Sequence, residues 1–135
     1  MENNYEGHKE YLRDENIIKQ FNDFINTRLY CNKWLEGDKM KVYVRKGKRC
    51  FKGLEYNYYN CIDIATLEVY DQKDYGKGYM SSFMQNAIKM CKEIEYMIYV
   101  ENILTISLAN SLEKRFSFQK YNENNDISIC LYNTF

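Results

Sequence analysis

Between Asp14 and Leu35 the apolar residues Ile17, Ile18, Phe21, Phe24, Ile25 and Leu29 recur at helical spacing, with Asn, Asp and Lys between them. The pattern predicts an amphipathic helix over that span, broken near Asn32. From Met40 to Arg45 apolar and charged residues alternate as in a strand. Lys46-Gly47-Lys48 reads as a turn and Arg49 to Phe51 as a returning strand, which together make a basic β-hairpin. Gly53 to Asn60 is irregular and aromatic, and Cys61 to Tyr70, rich in Ile, Leu and Val, predicts a central strand. Phe83, Met84, Ala87, Ile88 and Cys91 mark one face of a helix over Ser81 to Ile94, and Tyr96 to Val100 has the length of a strand. Leu104, Leu108, Leu112 and Phe116 recur every four residues, giving a helix over Thr105 to Phe116. Two strands, Ser117 to Tyr121 and Ile127 to Tyr132, then flank the turn NENND. The order helix, hairpin, strand, helix, strand, helix, hairpin predicts an α/β (mixed α+β) fold.

The 135 residues fit one domain, residues 1–135, with no linker or repeat to divide them. No apolar run approaches the roughly 20 residues that cross a bilayer, and the polar start MENNYEGHKEYLRDEN is unlike a signal or transit peptide. A soluble cytoplasmic protein is expected, with no membrane partner. Five scattered cysteines without a C-x-x-C pair indicate neither a disulfide framework nor zinc, and the single histidine, His8, removes most chemistry built on several histidines. No metal is expected. The absence of proline suggests an AT-rich genome and says nothing of mechanism.

Nineteen bases and nineteen acids cancel overall but are unevenly placed. Residues 39–52 contain Lys39, Lys41, Arg45, Lys46, Lys48, Arg49 and Lys52 and no acid. That surplus makes the hairpin a candidate contact for an acidic macromolecule, with Tyr43 and Phe51 as stacking rings if the macromolecule is a nucleic acid.

The segment with most chemistry is a strand, a glycine pair and a helix: IDIATLEVY, DQKDYGKGYMSS, FMQNAIKMC. Gly76 and Gly78 allow a tight turn whose amides point one way, and the helix behind adds its free N–H groups, a combination that can cradle a diphosphate. The spacing matches neither a Walker loop nor a dinucleotide fingerprint. It resembles the acyl-CoA-binding motif Q/R-x-x-G-x-G/A of the GNAT superfamily of N-acetyltransferases. In one register Tyr75-Gly76-Lys77-Gly78-Tyr79-Met80 occupies the motif, with Tyr75 in place of Gln or Arg and Met80 in place of Gly or Ala. A second register begins at Lys73 and puts Gly76 and Gly78 at the two small positions. Downstream, YMIYVENILTISLANSLEKRFSF looks like the family's fifth strand and following helix, with Asn102 after the strand and Leu112-Glu113-Lys114-Arg115-Phe116 at the helix end. Upstream, VYVRKGKR and IDIATLEV resemble its second to fourth strands, so the likeness covers residues 39–132, and small, often phage-encoded variants look closest.

The resemblance implies a splayed mixed sheet with helices on both faces, and an acetyl-CoA-dependent transfer of acetyl from the thioester directly to a primary amine. Acetyl-CoA would lie against Leu67, Val69, Tyr75, Gly76, Lys77, Gly78, Tyr79, Met80, Ser81 and Asn102, with the pantetheine arm added as an extra strand. Glu68 and Glu101 are the candidate general bases. The family's helix-end tyrosine acid is replaced by Leu112, leaving Ser111, another tyrosine or water to protonate a thiolate that is already a good leaving group. A CoA-binding module without turnover, or a nucleic-acid-binding protein, are the competing expectations. The acceptor is an amine of a protein or small molecule, and the chain is a monomer or a homodimer paired through its C-terminal hairpin.

Overall fold

Helix α1 (Glu15–Ile25) begins where the extended backbone of Asp14 lets its Oδ1 accept from the Ile17 amide at 3.1 Å. The structure is a computed structural model describing residues 11–27, 30–50, 59–103, 113–115, 118–120 and 129–133. Asp14 is 3 % exposed, and its Oδ2 accepts from the amides of Lys39 at 2.7 Å and Met40 at 3.3 Å. One carboxylate therefore ties the start of α1 to the turn between β1 (Asn32–Glu36) and β2 (Met40–Arg49). Gly37 belongs to this arrangement, because a Cβ there would overlap the Asp14 carboxylate.

The helix expected over Asp14 to Leu35, broken near Asn32, ends earlier, at Ile25. Asn26 and Thr27 turn their side chains back onto the carbonyls of Asn22 and Asp23. The Lys46 ammonium, on a residue only 7 % exposed, donates to the carbonyls of Ile25, at 2.9 Å, and Thr27. A cation on the last carbonyls of a helix meets both its unpaired acceptors and its negative dipole end. Asn32–Glu36 is instead an edge strand, antiparallel to β2 from Asn32↔Arg45 to Glu36↔Lys41, with Leu35 fully buried and the Trp34 ring tilted against Tyr43, 5.1 Å between centroids.

The expected basic hairpin of residues 39–52 is replaced by one continuous strand. β2 runs through Lys46-Gly47-Lys48 without turning and pairs with β3 (Tyr59–Val69) from Met40↔Val69 to Arg49↔Tyr59. A two-residue hairpin turn needs positive φ, and Gly47 does not adopt it. Met40, Val42, Val44 and Lys46 all face inward, so the period of two persists through a lysine. The positive charge is largely compensated as well: Lys39 faces Asp74 at 3.7 Å, Arg45 and Arg49 pair with Asp63 and Glu101, and Lys46 is buried.

Helix α2 (Tyr79–Ile94) carries the chain from β3 to β4 (Met97–Ile103), which pairs parallel to it. β5 (Gln119–Lys120) and β6 (Ile129–Asn133) complete a six-stranded mixed sheet of order β1-β2-β3-β4-β6-β5. β6 lies between β4 and β5, so the C-terminal hairpin expected to pair across a dimer has its last strand inside the sheet. α1 and α2 share one face, where Ile17, Phe21, Phe83 and Met84 pack on Val42, Val44, Ile62, Ile64 and Ile98, and Phe21 meets Phe83 edge to face at 5.3 Å. Of the expected helix over residues 105–116 only Glu113–Arg115 is described, and it is helical; Ser111, Leu112 and most of the segment lie outside the described residues, as do Lys52, Phe51 and His8. No described helix is long and apolar enough to cross a membrane.

Two outcomes follow. Asp14→Ala removes a helix cap and leaves two strand amides without their acceptor, and is expected to cost about 2–4 kcal/mol in urea unfolding. Burial pushes the Cys91 thiol up to about 12 and raises Cys61 as well, where Asp63 adds to the effect. The folded chain keeps these protons while the unfolded chain releases them near the ordinary thiol value of about 8.5, so the stability they contribute is full below that pH. Melting temperatures are expected to fall as pH rises from about 9, and less steeply in Cys91→Ala.

Candidate functional site

β3 and β4 are paired over only four residues of each strand, from Cys61↔Met97 to Ile64↔Val100. Beyond that level they part. At the parting β3 has a register shift against β2: Val44 opposes Ile64 and Tyr43 opposes Thr66, so Ala65 is the extra residue. β4 shifts against β6 between Val100↔Leu131 and Ile103↔Ile129, which places the extra residue at Glu101 or Asn102. Each irregularity bends its strand and increases its twist. Two of them at one level turn the neighbouring strands away from each other, and the β4 side of Ala65–Val69 has no strand partner among the described residues. Within that stretch Leu67 and Val69 turn toward the core, Glu68 faces the other side of the sheet, and the unpartnered backbone groups lie in the cleft.

The open stretch leads into the glycine turn. After Tyr70 and a single 3-10 turn over Gln72–Asp74, Gly76 takes φ +75° and Gly78 φ +97° before α2 starts at Tyr79. These two residues are the small positions of the register that begins at Lys73. Met80, the last position of the alternative, is the second residue of α2 and packs against the core, as does Tyr79. The side chains of Tyr79 and Met80 therefore point away from the turn and only their amides are presented. Tyr75 is 58 % exposed, so neither it nor Met80 fills the turn. Among the described residues no acceptor engages the amides of residues 76–81, and a Cβ placed on Gly76 would meet nothing within 4 Å. Among the described residues these amides are unpaired at the start of α2, with space open at Gly76, an arrangement that can receive an anion such as a diphosphate. Lys77 stands 3.5 Å from the buried carboxylate of Asp74, which also faces Lys39.

The two candidate bases differ in their surroundings. Glu101 accepts from Arg45 Nη1 at 2.6 Å, in a network where Asp63 receives Arg49 Nη2 at 2.5 Å and the Cys61 thiol at 3.3 Å, and Arg49 lies 4.1 Å from the Tyr99 ring centroid. Burial lowers the Arg49 pKa, but the hydrogen bond and charge of Asp63 outweigh it and the net shift is upward. Glu68 is exposed and joins no ion pair among the described residues. The pKa of the neighbouring Tyr70 hydroxyl is raised, first by desolvation and then by the charges of Glu36, Asp14, Glu68 and Asp38. Asn102, expected after the strand, lies within β4. Tyr11 was not legible as part of this region: its ring packs on Gly78, where a Cβ would overlap it, and no local spacing links two residues so far apart in the chain.

No family model and no curated protein matches the chain. Among solved structures, AtaT complexed with acetyl-methionyl-tRNAfMet superimposes with a TM-score of 0.52 at 13% identity, over 87% of this chain and 76% of that one. Arabidopsis thaliana Naa50 in complex with the bisubstrate analogue CoA-Ac-MVNAL is aligned over 93% of this chain and 97% of that one, at 16% identity and a TM-score of 0.47. This chain shares its fold with AtaT.

Gly78→Ala is expected to be poorly tolerated on two counts. A side chain at this left-handed φ costs roughly 1–2 kcal/mol, and the new methyl also displaces Tyr11. Gly76→Ala carries the first cost alone, because the space there is open. Denaturant midpoints of the two variants should rank in that order.

Proposed function

We propose that the chain transfers an acetyl group from the thioester of acetyl-CoA to a primary amine. The observation that carries this reading is the parting of β3 from β4 ahead of the Gly76/Gly78 turn, which leaves a strand edge and a row of amides without partners among the described residues. The pantetheine arm would take up backbone groups of Ala65–Val69, and the amides of Gly76 to Ser81 would take the diphosphate. The likeness of fold to AtaT supports the same assignment. Acetyl-CoA supplies the acyl group and the thiolate that leaves; no metal enters the reading.

Glu68 is the better base, because its carboxylate is exposed and joins no ion pair among the described residues, whereas that of Glu101 is held by Arg45. As the amine nitrogen bonds to the acyl carbon and the C–S bond breaks, Glu68 receives the amine proton and water protonates the departing thiolate. Acceptors worth assaying are aminoacyl-tRNA, protein amines, aminoglycosides, polyamines and nucleobase amines. The nucleic-acid-binding alternative loses its hairpin and most of its uncompensated charge, since only Lys41 and Lys48 of the described basic residues in that stretch lack an acidic partner or burial.

Calorimetric titration with acetyl-CoA is expected to show saturable binding, and thiol release with the acceptor panel to show turnover. No heat with acetyl-CoA would remove the reading; binding without transfer to any amine would reduce the chain to a CoA-binding module. Glu68→Gln should lower kcat by about a hundredfold or more while leaving acetyl-CoA affinity unchanged. Glu101→Gln should act mainly on thermal stability by releasing Arg45.

A further inference from the structure

Residues Tyr11 and Leu12 cross the glycine turn at the start of α2. The Leu12 amide donates to the Lys77 carbonyl at 3.0 Å, and the Leu12 carbonyl accepts from Ser82 Oγ at 2.9 Å. The Tyr11 ring lies on the bare Cα of Gly78, and its hydroxyl accepts from Arg115 Nη1 at 2.8 Å. Ser82, 2 % exposed, also donates its amide to Gly78 O at 2.9 Å.

The consequence comes from peptide planarity. In a trans peptide the C=O and the following N–H point in opposite directions, and no described peptide is cis. Pinning the Lys77 carbonyl toward Leu12 therefore aims the Gly78 amide away from the strap, and pinning the Gly78 carbonyl to Ser82 aims the Tyr79 amide out of the helix end. The carbonyls that would repel an anion are engaged and the amides that would attract it are turned outward. Because Gly76 and Gly78 have access to much of φ/ψ space, an untethered turn would sample orientations that present carbonyls instead.

We infer that the Tyr11-Leu12 strap, fastened through Ser82, is a positioning element that holds the Gly76–Gly78 turn in its diphosphate-accepting orientation. It acts through the turn and touches no reacting atom. The inference rests on the acetyl-CoA reading.

The test compares two acyl donors, acetyl-CoA and S-acetylpantetheine, which carries the same thioester without the diphosphate. In Ser82→Ala and in Tyr11→Ala the Kd and KM for acetyl-CoA are expected to rise about fivefold or more, while kcat/KM with S-acetylpantetheine stays at the wild-type value. Tyr11→Phe keeps the ring on Gly78 and should retain most of the acetyl-CoA affinity. Unchanged acetyl-CoA binding in both alanine variants, or an equal loss with both donors, would overturn the strap's role while leaving the acetyltransferase reading intact. Failure of the wild-type chain to bind acetyl-CoA would remove both.

Discussion

The parallel contact between β3 and β4 is limited to four residue pairs, and the candidate site depends on that limit. Inside the paired zone the two strands bury Ile62, Ile64, Ile98 and Val100 beneath α1 and α2. Outside it, β3 keeps its hydrogen bonds to β2 and β4 keeps its own to β6, so each strand is satisfied on its far side and has no partner on its near side among the described residues. An unpaired edge in the middle of a sheet would ordinarily close onto its neighbour. Here the extra residue at Ala65 and the one at Glu101 or Asn102 hold the edges apart. The candidate site is thus a property of register, set by where the two strands stop pairing before any side chain is considered.

Two buried charges connect the first helix to this frame. Asp14 takes the first turn of α1 and the β1–β2 turn onto one carboxylate, while Lys46 reaches from β2 to the carbonyls at the helix's other end. Each charge is compensated by backbone dipoles in place of an opposite charge, which satisfies its hydrogen-bonding capacity without an ion pair. The helix is fastened to β2 at both termini, and β2 in turn sets the position of β3 at the cleft.

What could be read from the residues alone follows from how local the signal is. β3, α2 and β4 were legible because their apolar periods run unbroken and their ends are marked, and the glycine turn because Gly76 and Gly78 stand between a strand and a helix. Lys46-Gly47-Lys48 misled, since two lysines around a glycine have the composition of a turn; only the carbonyls of Ile25 and Thr27 make an inward lysine acceptable there. Leu29 continued a helical period that ends at Ile25, where the side chains of Asn26 and Thr27 donate to the carbonyls of Asn22 and Asp23. The pairing of Arg45 with Glu101 is likewise invisible in the sequence, because it depends on strands that meet only in the folded sheet.

The placement of β6 between β4 and β5 bears on how the sheet is assembled. β1, β2, β3 and β4 join neighbours that follow one another along the chain, but β4 is completed on its other side by a strand that comes after β5 in the chain. The β4–β6 partners lie no further apart in the chain than the β3–β4 partners, so the order of synthesis, and not the length of the loop, makes this contact late. During synthesis β4 therefore presents a bare edge of Ile98 to Val100 until residues 129–133 emerge, an interval in which the nascent chain is open to pairing with foreign strands and to capture by chaperones.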